Sequence, residues 1–98
     1  MGEHDSIYSV GQRIKLQAEF KVDSVYTDPT TITVKIQLPN GTELSYTYLA
    51  GEITKQAVGI YYKAYKVLTP GKYVYRFEST GACEAADEKS FIVEMSEF

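Results

Sequence analysis

The chain has 98 residues, about the size of one domain, which excludes a two-domain enzyme. Hydrophobic residues at 44% and charged residues at 23% match an ordinary globular protein and exclude a disordered or collagen-like chain. Ten basic and thirteen acidic residues give a net charge of -3, and no run of Lys or Arg exceeds one residue. Capture of nucleic acid or anionic lipid needs a clustered positive field, so neither is expected as a partner; only folding could gather Lys63, Lys66, Lys72 and Arg76 on one face.

Residues 1–6 are polar and acidic and read as a flexible tail ahead of one domain spanning 1–98. They lack the positive start and apolar run of a secretory leader. No stretch approaches the roughly 20 apolar residues of a membrane-spanning helix. Met1-Gly2-Glu3-His4-Asp5-Ser6 fits the loose N-myristoylation pattern, but one acyl chain anchors only weakly and no second signal accompanies it. With one cysteine, Cys83, no internal disulfide can form, and the expected setting is the cytosol or a particle assembled there.

A short strand is expected at residues 7–10. Over residues 13–22 apolar Ile14, Leu16, Ala18, Phe20 and Val22 alternate with Lys15, Gln17, Glu19 and Lys21, the period-two pattern of a half-buried strand. Residues 23–30 form a connection containing Asp28-Pro29. Residues 31–38 alternate again, with Ile32, Val34, Ile36 and Leu38 on one side. Pro39-Asn40-Gly41-Thr42 then reverses the chain, and its match to a glycosylation acceptor is better read as a turn. A third strand follows at 43–49, with Leu44, Tyr46 and Tyr48 in phase.

Residues 50–58 show no clear period and read as a loop, with room for one helical turn. Extended structure resumes over 59–68, where Tyr61, Tyr65 and Val67 compete with Ile60, Tyr62, Ala64 and Leu68 for the inward face. Thr69-Pro70-Gly71 is a turn. Residues 72–79 form a strand with Tyr73, Tyr75 and Phe77 in phase, 80–88 a polar loop, and 89–95 a closing strand with Phe91, Val93 and Met95 in phase. About seven short strands separated by turn signals predict an all-β chain, an immunoglobulin-like antiparallel β-sandwich. The Cys…Trp…Cys core of antibody domains is absent.

Few residues offer chemistry. His4 and Cys83 lie near opposite ends of the chain, and an enzyme reading would depend on them. Glu84, Asp87 and Glu88, and a thinner set of Asp23 and Asp28, lack the spacing of a calcium loop and read as solvated charges. The glycines Gly11, Gly41, Gly71 and Gly81 stand singly at turns, which gives no phosphate cradle. Two Cys or His residues cannot supply the ligands of a zinc site. No catalytic residue, metal or cofactor is therefore expected.

Tyrosine is the remaining signal, with nine residues. Tyr46, Tyr48, Tyr61, Tyr62 and Tyr65 exceed what one small core can hold, so part of this set is expected on a partner-binding face. The plain alternative is the ordinary preference of aromatic rings for pleated sheets.

The chain resembles the small immunoglobulin-like proteins encoded among the head and tail structural genes of tailed bacteriophages and prophages. The resemblance rests on Val10-Gly11, Thr27-Asp28-Pro29-Thr30, Leu38-Pro39-Asn40-Gly41-Thr42, Gly59-Ile60-Tyr61-Tyr62, Pro70-Gly71-Lys72-Tyr73-Val74-Tyr75-Arg76-Phe77, Thr80-Gly81 and Phe91-Ile92-Val93. It implies a non-enzymatic virion component, in head decoration, the neck or the head-to-tail region, assembled in the host cytoplasm. Its expected partners are a capsid, neck or tail protein and further copies of itself. The Gly-x-Tyr and Pro-Gly-x-Tyr-x-Tyr-x-Phe elements are also similar to those of bacterial extracellular sandwich modules, and the alternative function is a carbohydrate- or ligand-binding module with Tyr rings stacked on sugars.

Overall fold

A computed structural model describes residues 6–83 and 85–95. Ten strands follow in chain order: β1 (Ser6–Ser9), β2 (Arg13–Glu19), β3 (Lys21–Val22), β4 (Val25–Tyr26), β5 (Thr31–Gln37), β6 (Glu43–Thr47), β7 (Thr54–Ala57), β8 (Ile60–Lys66), β9 (Gly71–Thr80) and β10 (Ala85–Glu94). They form a larger sheet ordered β1-β10-β9-β5-β6, a smaller one ordered β2-β8-β7, and a β3-β4 ribbon. The two main sheets face each other as an immunoglobulin-like sandwich. The expected all-β architecture is therefore correct, with two departures: ten strands stand where about seven were expected, and β1 runs parallel to β10.

Alternation builds the core as the sequence requires. Ile14, Leu16 and Ala18 of β2 are buried, as are Ile32, Val34 and Ile36 of β5, while the residues between them stay exposed or half-buried. Tyr73, Phe77, Phe91 and Val93 close the larger sheet's inner face. The competition along β8 is decided for Tyr61, Tyr65 and Val67. Tyr61 and Val67 are buried, and Tyr65 packs half-buried against them, whereas Leu68 is 69% exposed.

Three expected boundaries are corrected. The first long strand stops at Glu19, and Val22 lies exposed on the ribbon instead of joining the inner face. Asp23 and Ser24, at φ 51° and 68°, form the ribbon's two-residue turn. The expected loop at 50–58 contains β7, whose four residues are all exposed at an edge, so no apolar alternation marked it. The expected polar loop at 80–88 is half strand, because β10 begins at Ala85 and pairs through Lys89 with β9. His4 and the rest of the expected tail through Asp5, together with Glu84, lie outside the described residues, and the burial of Ser6 is likewise undescribed.

The β8–β9 corner is held by a tyrosine. The buried Tyr73 donates its hydroxyl hydrogen to the Thr69 carbonyl at 2.8 Å, and the Thr69 N–H donates back to that oxygen at 3.4 Å. This is the tyrosine corner of immunoglobulin-like sandwiches, which fixes the crossing from one sheet to the other.

Candidate functional site

The strand directions bring four connections to one pole of the sandwich: residues 20–30, 48–53, 58–59 and the described part of the β9–β10 connection, 81–83. A single carboxylate organises this pole. Asp28 Oδ1 accepts the Gly59 N–H at 2.8 Å and the Tyr61 hydroxyl at 3.0 Å, while Oδ2 accepts Lys55 Nζ at 2.7 Å. Pro29 assists by holding the preceding residue in an extended conformation. Asp28 is thus a pin between the β4–β5 connection and the β7–β8 hairpin, not the solvated loop charge expected from its spacing. Gly59 must come close for this contact: at φ +74°, a Cβ there would sit 2.7 Å from the Phe20 carbonyl oxygen.

The pin is unsuited to proton transfer near neutral pH. The Lys55 hydrogen bond first, then the Gly59 N–H, hold the Asp28 carboxyl down at about 2. Burial first, then the bond to Asp28, pushes Tyr61 up to about 12. Asp28 therefore stays ionised and Tyr61 protonated. The Asp28 contribution to stability is complete above about pH 4 and is lost as pH falls through about 2; that of Tyr61 is complete below about pH 10 and is lost as pH rises through about 12. Urea titrations should show this plateau, and Asp28→Asn should lower it while removing the acid fall. An acid limb unchanged by Asp28→Asn would show that the carboxylate does not hold the pole.

Around the pin the pole is apolar and open to solvent. Among the described residues, six of the nine large hydrophobic side chains left exposed are here: Val22, Val25, Tyr26, Tyr48, Leu49 and Val58, with Leu49 97% exposed. Val22 and Val25 face each other across the ribbon, and Lys21 Nζ lies 4.7 Å from the centre of the Tyr26 ring. Beneath them Phe20, Tyr61 and Tyr48 form an edge-to-face row with ring centres 5.9 and 5.2 Å apart. These rings support the surface residues from below.

The five tyrosines singled out in the sequence do not make one face. Tyr48 reaches the pole surface at 40% exposure. Tyr61 is 3% exposed and is a correction to the expected binding set, since its ring fills the core and its hydroxyl serves the pin. Tyr46 and Tyr65 face inward, half-buried against the core, and Lys63 Nζ caps the Tyr46 ring at 4.3 Å. Tyr62 lies on the outer face of the smaller sheet, capped by Lys15 Nζ at 4.4 Å. Val22, Val25, Tyr26, Leu49 and Val58 were missed. Alternation assigned Val22 inward, Leu49 ended the expected strand at 43–49, and Val25, Tyr26 and Val58 stood in segments read as loops. The only signal of these last three was bulky apolar residues in connections where polar ones are usual.

The remaining candidates do not assemble. Cys83 is buried, with its carbonyl accepting the Ser79 hydroxyl at 2.7 Å, so it is not an open loop thiol. Asp87 and Glu88 are adjacent on β10 and point to opposite faces. No described group of three or more His, Cys, Asp or Glu residues could hold a metal. Lys63 and Lys66 lie on β8, on opposite faces, whereas Lys72 and Arg76 lie on β9 in the other sheet, so folding does not gather them. A shallow depression over the larger sheet is occupied by its own ion pairs, Lys35 to Glu78 at 3.5 Å and Arg76 to Glu78 at 3.0 Å. No described helix is long and apolar enough to cross a membrane.

No family model matches the chain, and no curated protein matches it. Among solved structures it is similar to a candidate glycoside hydrolase from Bacteroides vulgatus, with a TM-score of 0.62 and 10% identity. The match covers 95% of this chain and 17% of that one, so the fold recurs as a small part of a larger protein. At that identity the likeness concerns the fold alone.

Proposed function

We propose that this protein is a non-enzymatic contact module that binds a protein partner through the apolar pole formed by its loops. The observation that carries this reading is the concentration of Val22, Val25, Tyr26, Tyr48, Leu49 and Val58 at one end of the sandwich; the other three exposed large apolar side chains among the described residues, Ile7, Leu68 and Met95, lie toward the opposite end, where Val10 bonds to Glu94 and Gly11 to Val67. Loop-bearing poles of immunoglobulin-like sandwiches are well suited to recognition, because rigid strands present variable loops side by side. The Asp28 pin and the aromatic row supply that rigidity here. A structural role in a virion, with a capsid, neck or tail protein as partner, would use such a surface, and this setting rests on the sequence resemblance.

A sugar-binding reading needs exposed rings side by side. Tyr46, Tyr61 and Tyr65 face inward and Tyr62 is capped by Lys15, which favours a protein partner. Photo-crosslinking residues placed at Val25 and Leu49 should give discrete protein adducts in the native host, while the same group at Gln17 should not. Adducts with proteins that co-sediment as particles would support the virion setting. Absence of adducts at the pole, together with saturable glycan binding, would overturn the proposal in favour of the carbohydrate module.

A further inference from the structure

We infer that the free edge of β2 pairs antiparallel with the same edge of a second copy, joining two three-stranded sheets into one continuous sheet. Among the described residues, the sheet order β2-β8-β7 gives β2 a neighbour on one side only. Its hydrogen-bond phase follows from the two ends of the β2–β8 ladder. Phe20 N–H donates to the Gly59 carbonyl at 2.7 Å, and Val67 N–H donates to the Gln12 carbonyl at 3.0 Å. Even-numbered positions of β2 therefore bond to β8, in the register Ile14 to Tyr65 and Ala18 to Tyr61. The N–H and C=O groups of Arg13, Lys15, Gln17 and Glu19 point the other way, and no described hydrogen bond uses them.

The other edges are poorer templates. β1 and β7 have four residues each, β7 carries an irregularity between Lys55 and Ala57, and β6 has five residues. β2 has seven residues, a regular register and no proline. A regular edge of this kind is the sort that adds strands.

Charge complementarity selects a second copy as the occupant. The outward side chains of β2 run Arg13, Lys15, Gln17, Glu19: two positive, one neutral, one negative. Antiparallel pairing about a two-fold axis at Gln17 places Lys15 opposite Glu19 of the second copy, and Glu19 opposite the second copy's Lys15. Opposite charges across a strand pair stabilise it, whereas in-register parallel pairing would set like against like. The same phase puts Lys15, Gln17 and Glu19 in hydrogen-bonded positions with their counterparts. In the single chain the Lys15 ammonium leans across Tyr62 to Gln56, and Glu19 stands 3.9 Å from Lys21. These are exposed contacts that pairing exchanges for new ones. This surface is separate from the apolar pole, so the two proposals fail independently.

Sedimentation equilibrium at increasing concentration should show the mass rising from 11.0 kDa toward twice that value. Amide exchange at Lys15, Gln17 and Glu19 should slow in parallel. Gln17→Pro removes a donor that β8 does not use, so it should leave a folded monomer. Glu19→Lys should weaken association at least about tenfold, a typical scale for setting like charges opposite each other. Adding Lys15→Glu to it should restore pairing, and this charge swap carries the test should Gln17→Pro lower the Tm. A chain that stays monomeric at high micromolar concentration, a dimer insensitive to Glu19→Lys, or concentration-dependent protection confined to other strands would overturn the inference.

Discussion

Tyr73→Ala should cost about 4 kcal/mol in urea unfolding, the scale of removing a fully buried aromatic side chain. Tyr73 has no exposed surface. Its ring stacks on Phe91 with centres 5.0 Å apart and planes 8° from parallel, and meets Tyr65 edge-on at 6.4 Å. Truncation leaves a cavity between the sheets that the surrounding strands cannot collapse to fill. A domain of this length has a total stability of only about 5 to 15 kcal/mol, so the loss takes a large share of it. Tyr73→Phe separates the contributions. It keeps the stacking and deletes only the hydroxyl's two bonds, to the Thr69 carbonyl and from the Thr69 N–H, for an expected loss of about 1 kcal/mol. Equal losses from the two substitutions would mean that the corner hydrogen bond, and not ring packing, dominates.

Gly81→Ala should cost about 3 kcal/mol, from strain and overlap acting together. Gly81 has φ +93°, a conformation that disfavours side chains. A Cβ there would lie 1.9 Å from Thr30 Oγ1 and 2.3 Å from Thr30 Cβ. Backbone is also close, with the Thr30 nitrogen 2.9 Å away and its N–H donated to the Thr80 carbonyl at 2.7 Å. Residue 30 therefore cannot retreat without opening the β5–β9 ladder at its first pair, Thr31 with Thr80. Thr30→Gly in the Gly81→Ala background should recover the side-chain overlap and leave the conformational part, about 1 kcal/mol. Full loss in the double variant would show that the backbone contact and φ alone account for the cost. Because residue 81 belongs to the apolar pole, the single substitution should also reduce partner crosslinking at Val25.

How much of this was legible depended on whether a residue's partner lay nearby in the chain or on the far sheet. Strands β2 and β5 were visible because every second residue enters the core, and the hairpin at 38–42 because Asn40-Gly41 reverses the chain locally. β7 was hidden for the opposite reason. Its four residues sit at an edge with all their side chains in water, so pairing with β8 stabilises it without leaving an apolar pattern. The first half of β10 was hidden likewise: Ala86 through Lys89 are exposed although their backbone pairs with β9.

The candidate site divides in the same way. The excess of tyrosine correctly implied that one core could not hold all the rings, but composition does not say which ring faces where. Along β8 the two alternating sets were both apolar, and the choice was made by neighbours from elsewhere in the fold: Phe20 at the end of β2, Tyr48 beyond β6 and the Asp28 carboxylate, which together receive Tyr61. Asp28 lies 27 residues from Lys55, 31 from Gly59 and 33 from Tyr61, separations across which no local pattern speaks. The sequence thus determined the architecture, because period-two burial is a property of each strand alone. The apolar pole and its pin emerge only on folding, because those arise where connections distant in the chain converge at the ends of opposed strands.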